Sequence, residues 1–85
     1  IVVIGADHGE SFEDGWVGHG GPWLTESLIH IPLMLRWPGG KQAGLKPETF
    51  VSPMDLAPTI LAYLGLEVPK TLMGENLEPY ILDPE

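Results

Sequence analysis

Four β-branched residues in unbroken succession, Ile1-Val2-Val3-Ile4, stop at Gly5-Ala6, and the polar run Asp7-His8-Gly9-Glu10 follows at once. A strand with one wet face alternates apolar and polar side chains, whereas a continuous apolar run fits a strand covered on both faces, as in a parallel sheet. The expected class is therefore α/β, with Asp7 and His8 delivered to the carboxyl end of a buried strand. Open α/β sheets build their ligand sites at that edge. Such a strand needs partners on each side and cover on both faces. The 85 residues amount to one small domain at most, and a chain of that size buries only roughly 60–65% of the surface it exposes unfolded. The expectation is a piece of a larger protein, with residues 1–85 forming part of one domain. On its own it would carry unpaired strand edges and associate through them.

Composition narrows the partners. There is no cysteine, so no disulfide and no thiolate ligand or nucleophile is available. Twelve acidic residues against four Lys and Arg give a formal charge of -8. That balance disfavours nucleic acid and anionic membrane, which call for a basic face, and suits a cation. The apolar fraction of 44% is too high for a disordered tail. No apolar run approaches the roughly 20 residues of a membrane span. Ile1–Gly5 lacks the basic start, long apolar stretch and cleavage site of a secretory signal, and leaves the compartment open.

Along the chain, residues 9–22 hold Gly9, Gly15, Gly18, Gly20, Gly21 and Pro22, and read as a long loop. Trp23 to His30 suits one or two helical turns, with Glu26 near the start where a carboxylate meets the helix dipole. Ile31 to Trp37 is a second strand with Pro32 at its entry, closed by Pro38-Gly39-Gly40. Phe50-Val51 suits a short extended piece. Asp55 suits a helix N-cap, with the helix over 56–64, Pro58 in its first turn and Gly65 as left-handed C-terminal cap. Leu56, Ile60, Leu61 and Leu64 fall on one helical face. Asn76 to Leu82 suits a short helix interrupted by Pro79.

Chemistry concentrates in the first half. A carboxylate oxygen and an imidazole nitrogen, from Asp7 and His8, are good ligands for a divalent cation. Adjacent residues on an extended chain point to opposite sides. The two can share an ion only if the backbone turns, which Gly9 permits. The plainer alternative is that Asp7 caps a turn and His8 hydrogen-bonds locally. His19, flanked by glycines, can donate to an anion or act as an acid near neutral pH, or can be a solvated loop residue. His30, between Ile29 and Ile31, reads as a partly buried structural residue. Glu10, Glu13 and Asp14 form an acidic cluster that either adds ligands or acceptors near Asp7 or is a solvated face. Trp16 and Trp23 suit packing or the wall of a substrate pocket. Lys41 and Lys46 suit a surface role or contact with an anion, and Arg36 suits pairing with a carboxylate or part of a strand edge.

The run Ile1–Glu10, then Gly18-His19-Gly20-Gly21, then Glu26–Gly39, resembles the later part of the sulfatase catalytic domain, within the alkaline-phosphatase superfamily. Val51–Leu61 with Leu64-Gly65-Leu66, and Gly74-Glu75-Asn76-Leu77, fit the same family in the same order. The resemblance implies part of an alkaline-phosphatase-like parallel-sheet sandwich with helices on both faces. It implies Asp7 and His8 as metal ligands, with calcium the typical ion and zinc or manganese in phosphatase-like relatives. It implies His19 as the catalytic and substrate-binding histidine that holds the ester's anion and leaving oxygen. Many sulfatases place a lysine in that neighbourhood; none lies between His8 and Arg36 here. The nucleophile implied is a formylglycine in an upstream motif, together with two further acidic ligands, so these residues alone are expected to turn over no ester. The implied partner is a sulfate ester. A phosphomonoester, phosphodiester or phosphonate hydrolase, or a phosphoglycerol or phosphoethanolamine transferase, is the neighbouring alternative. A non-catalytic folded or oligomerising module is the alternative of another class.

Overall fold

A computed structural model of the chain describes residues 1–13, 15–21 and 24–82. The chain divides into two compact units, residues 2–36 and, with Ile1, the residues from Trp37 onward.

The first unit contains strands β1 (Val2–Gly5), β2 (Ser11–Glu13), β3 (Trp16–Gly18), a one-turn helix α1 (Glu26–Ile29) and strand β4 (Leu33–Arg36). The α/β class stands, but the opening strand pairs differently from the parallel expectation. β1 runs antiparallel to β4, with Val3 opposite Leu35 and Ile4 opposite Met34. The reason for its unbroken apolarity is visible in the two faces. Val3, Leu33 and Leu35 are half-buried, while Val2, Ile4 and Met34 on the other side are exposed. Both faces are therefore apolar, and one of them is open in this chain.

The glycine-rich loop is also more ordered than its composition predicts. Its middle is a second antiparallel pair, β2 with β3, in which Phe12 faces Val17. Ser11 is fully buried there, and its hydroxyl donates to the Trp16 carbonyl at 3.1 Å. Helix α1 is a single turn, within the one or two turns expected, and Trp23 and Pro22 lie outside the described residues. Thr25 precedes the helix without capping it, because its hydroxyl pairs with that of Ser27 at 2.9 Å.

The second unit opens on a 3-10 turn at Pro38–Gly40, where Gly39 has φ 74°. Trp37 is buried and meets Tyr63 edge-to-face, with ring centroids 5.0 Å apart. No strand forms at Phe50-Val51 and Phe50 is fully exposed. Helix α2 (Leu56–Tyr63) matches the predicted span, but its start is built differently. Asp55 makes no side-chain cap to α2; the capping residue is Ser52, at the head of a preceding 3-10 turn. The Ser52 hydroxyl accepts from the Met54 N–H, and Asp55 Oδ2 accepts from the Ser52 N–H at 2.7 Å, a reciprocal capping box. At the other end Gly65 takes φ 70°, with Gly65 N–H bonded to Ala62 and Leu66 N–H to Leu61. That double bond pattern is the left-handed helix stop expected from the glycine. Leu56, Ile60 and Leu61 are half-buried, whereas Leu64 is exposed, so the predicted apolar face ends one turn early. Helix α3 (Glu78–Leu82) accommodates Pro79 in its first turn rather than being interrupted by it, and Asn76 Oδ1, just ahead of it, accepts from the Glu78 N–H.

The return segment to α3 is held to α2 by two groups. Asp55 Oδ1 accepts from the Glu75 N–H at 2.8 Å. Thr59 Oγ1 donates to the Asp55 carbonyl and accepts from the Leu77 N–H at 2.8 Å, with Thr59 and Leu77 both buried. Gly74 passes so close to the Met54 carbonyl that any Cβ there would overlap it. Thr59→Val keeps the shape but leaves the Leu77 N–H buried without an acceptor, a loss of about 1–3 kcal/mol. Denaturant unfolding is expected to report that loss for Thr59→Val and a clearly smaller one for Thr59→Ser, which retains the hydroxyl.

Candidate functional site

β1 ends at Gly5, and the chain bends at Asp7. That bend brings neighbouring side chains to one side: Asp7 Oδ1 lies 3.7 Å from His8 Nε2. Two ligand atoms on one ion, each at about 2.0–2.5 Å, stand roughly 3–4 Å apart. The separation therefore suits a shared cation. Each group is also oriented by the backbone. Asp7 Oδ1 accepts from the His8 N–H at 2.9 Å. His8 Nδ1 lies 2.7 Å from the Gly9 carbonyl. A carbonyl only accepts, so Nδ1 carries the hydrogen of this contact, and in the neutral ring Nε2 keeps its lone pair, the arrangement that metal-binding histidines use. Asp7 is almost fully solvent-facing, so its carboxylate is accessible.

Gly9 fixes where this bend sits. Its N–H donates to the Leu28 carbonyl at 2.7 Å, tying the strand end to α1. A Cβ at position 9 would fall on the Ser27 carbonyl. Gly9 is not in the left-handed region, so the reason for glycine is close backbone approach and not the turn geometry expected from the sequence.

His19 follows β3 and returns to the same place. Its ring stacks on that of His8, with centroids 4.3 Å apart and planes 19° from parallel. His19 Nδ1 lies 2.9 Å from Glu10 Oε2. One ligand atom from each of His8, Glu10 and His19 falls within 4.8 Å of the others. The acidic cluster thus separates into distinct roles. Glu10 faces His19, Glu13 accepts from the Ser27 hydroxyl at 3.3 Å, and Asp14 lies outside the described residues. The Glu10–His19 pair was not singled out by spacing, because the hairpin that creates it was read as an irregular loop.

His30 is exposed, not partly buried, and its Nδ1 lies 3.4 Å from Glu26 one helical turn away. Trp16 is half-buried in β3, and Arg36, Lys41 and Lys46 are exposed. Among the described residues no helix is long and apolar enough to cross a membrane.

Residues 1–66 match the family model described as Sulfatase. An N-acetylglucosamine-6-O-sulfatase of Bacteroides thetaiotaomicron is 32% identical over 82 residues, 95% of this chain and 14% of that protein. Arylsulfatase K of Homo sapiens is 35% identical, over 93% of this chain and 14% of its own length. A multifunctional alkaline phosphatase superfamily protein, PehA of Trinickia caryophylli, is 33% identical over 98% of this chain and 16% of that protein. No solved structure matches the chain. The chain belongs to the sulfatase family. It spans about one seventh of the length of the curated relatives it matches.

Proposed function

We propose that this chain forms the metal- and anion-handling edge of a sulfuric ester hydrolase, working with residues outside these 85. The observation that carries the reading is the approach of Asp7 to His8 beyond the end of β1, with the His19 ring stacked on His8 and the contact of His8 Nδ1 with the Gly9 carbonyl leaving Nε2 of the neutral ring as a ligand atom. Asp7 and His8 would hold a divalent cation; the mixed oxygen and nitrogen donors accommodate calcium, zinc or manganese, of which the family resemblance favours calcium. When bound, such an ion stabilises charge on the ester's oxygens and orients the group under attack. His19, stacked on His8, lies beside that place and is suited to hydrogen-bond the ester's anion and to give a proton to the leaving oxygen. The nucleophile is sought outside these residues, where the family resemblance expects a formylglycine.

A second reading keeps the site and exchanges sulfate for phosphate. The match to a multifunctional alkaline phosphatase superfamily protein favours considering it. The test uses the full-length protein, stripped of metal and reloaded with calcium, zinc or manganese, on 4-nitrophenyl sulfate and 4-nitrophenyl phosphate. The expected result is metal-restored turnover with sulfate preferred by about tenfold or more, equivalent to about 1.4 kcal/mol in transition-state binding. Preference for phosphate would move the assignment to the phosphoryl branch. Metal-independent turnover of both would remove Asp7 and His8 from the chemistry.

A further inference from the structure

We infer that Glu10 is a positioning residue for His19, an assignment that rests on the reading of His19 given above. Three observations carry it. Glu10 Oε2 lies 2.9 Å from His19 Nδ1, and the two residues are nine apart, joined only because β2 and β3 pair. The His19 ring is stacked on His8, so the ring plane is set by one neighbour and its rotation within that plane by the other. Glu10 is not free to serve the backbone or solvent alone: it is half-buried at the base of the hairpin, close to Gly18.

The chemistry follows from the ring's two nitrogens. A carboxylate is acceptor-only when ionised, so His19 Nδ1 is the nitrogen that carries the hydrogen of this bond. Nε2, on the opposite side of the ring, is then the atom presented to the ester. Glu10 thereby fixes the direction in which His19 Nε2 faces the ester's leaving oxygen. Glu10 therefore acts on the ester through His19.

The experiment compares Glu10→Ala, Glu10→Gln and His19→Ala in the full-length protein. Turnover is measured on 4-nitrophenyl sulfate, whose leaving group departs readily unprotonated, and on phenyl sulfate, whose leaving group needs a proton. The expected result for Glu10→Ala is a kcat about 30-fold lower on phenyl sulfate, a share of the effect typical of general acids. On 4-nitrophenyl sulfate the fall is expected to be under about fivefold, with KM nearly constant in both cases. Glu10→Gln, which keeps an acceptor but not the charge, recovers part of the loss, and the double variant is no worse than His19→Ala alone. Nitrogen-15 NMR of the metal-free protein gives an arm independent of turnover: His19 carries its hydrogen on Nδ1, and Glu10→Ala shifts that population toward Nε2. Equal losses on both esters, or a wild-type His19 protonated on Nε2 alone, overturn the inference. If His19→Ala is impaired while Glu10→Ala matches wild type, Glu10 loses its role and His19 keeps its own. If His19→Ala is fully active, the His19 reading itself fails.

Discussion

His8→Ala in the full-length protein is expected to lower kcat/KM for an aryl sulfate by roughly 10³-fold or more, about 4 kcal/mol of transition-state stabilisation. The size follows from two losses at one position. The substitution removes a nitrogen whose lone pair is freed by the Nδ1–Gly9 bond, and with it one of the two groups proposed to hold the cation. It also removes the surface on which the His19 ring rests, 4.3 Å away. Stability should move little, because the His8 side chain is 44% exposed and its backbone contacts remain. The informative pattern is therefore a dead enzyme with an unchanged melting temperature and a lowered metal content by elemental analysis. Asp7→Asn should share the metal loss and the fall in activity while leaving the His19 contact in place. An active His8→Ala protein, within about threefold of wild type, would sink the assignment of this strand end as the reaction centre.

Gly9→Ala is expected to be the most damaging single methyl group in the first unit. Its Cβ would be placed on the Ser27 carbonyl, and backbone cannot rotate away as a side chain does. Separating the segments breaks the Gly9–Leu28 hydrogen bond as well. Together these costs reach about 3 kcal/mol, from overpacking and one lost bond. Helix α1 has a single turn and little of its own to resist displacement. Native-state hydrogen exchange should therefore show the amide at position 9 opening about 100-fold more often. Activity should fall too, since His8 and Glu10 flank the displaced residue. Gly20→Ala is the control: Gly20 has open space where a Cβ would stand and no left-handed backbone, so neither quantity should change. If both variants behave alike, close approach is not what Gly9 provides.

The parts of this structure that were legible in sequence are those governed by local chemistry. Gly65 stops α2 because only a residue tolerant of positive φ ends a helix that way, and Pro32 sits just ahead of β4 because the strand does not need its N–H. The strand end ahead of Asp7 and His8 was legible because the apolar run stops at Gly5 and polar residues follow within two positions. What was not legible depends on segments meeting across the chain. The direction of β1 is decided by β4, some thirty residues on, and an apolar run says only that both faces suit burial. The β2–β3 pair was masked by its glycines, although Asp14-Gly15 between Phe12-Glu13 and Trp16-Val17 is a strong short hairpin signal. Missing that hairpin hid the Glu10–His19 contact. Asp55 holds the N-cap position of α2 as read, but its carboxylate serves the capping box of the preceding 3-10 turn headed by Ser52, a turn the helical pattern did not reveal.

The ties between α2 and the segment before α3 have a consequence for how that region comes apart. Bringing residues 20 positions apart into register costs on the order of 2–3 kcal/mol of chain entropy. Once the Asp55 carboxylate has caught the amide of Glu75, Leu77 is already within reach of the Thr59 hydroxyl, and the second link forms with almost no further ordering. The two links are thus a single latch: undoing either returns most of the chain's freedom and leaves the other with little reason to stay shut.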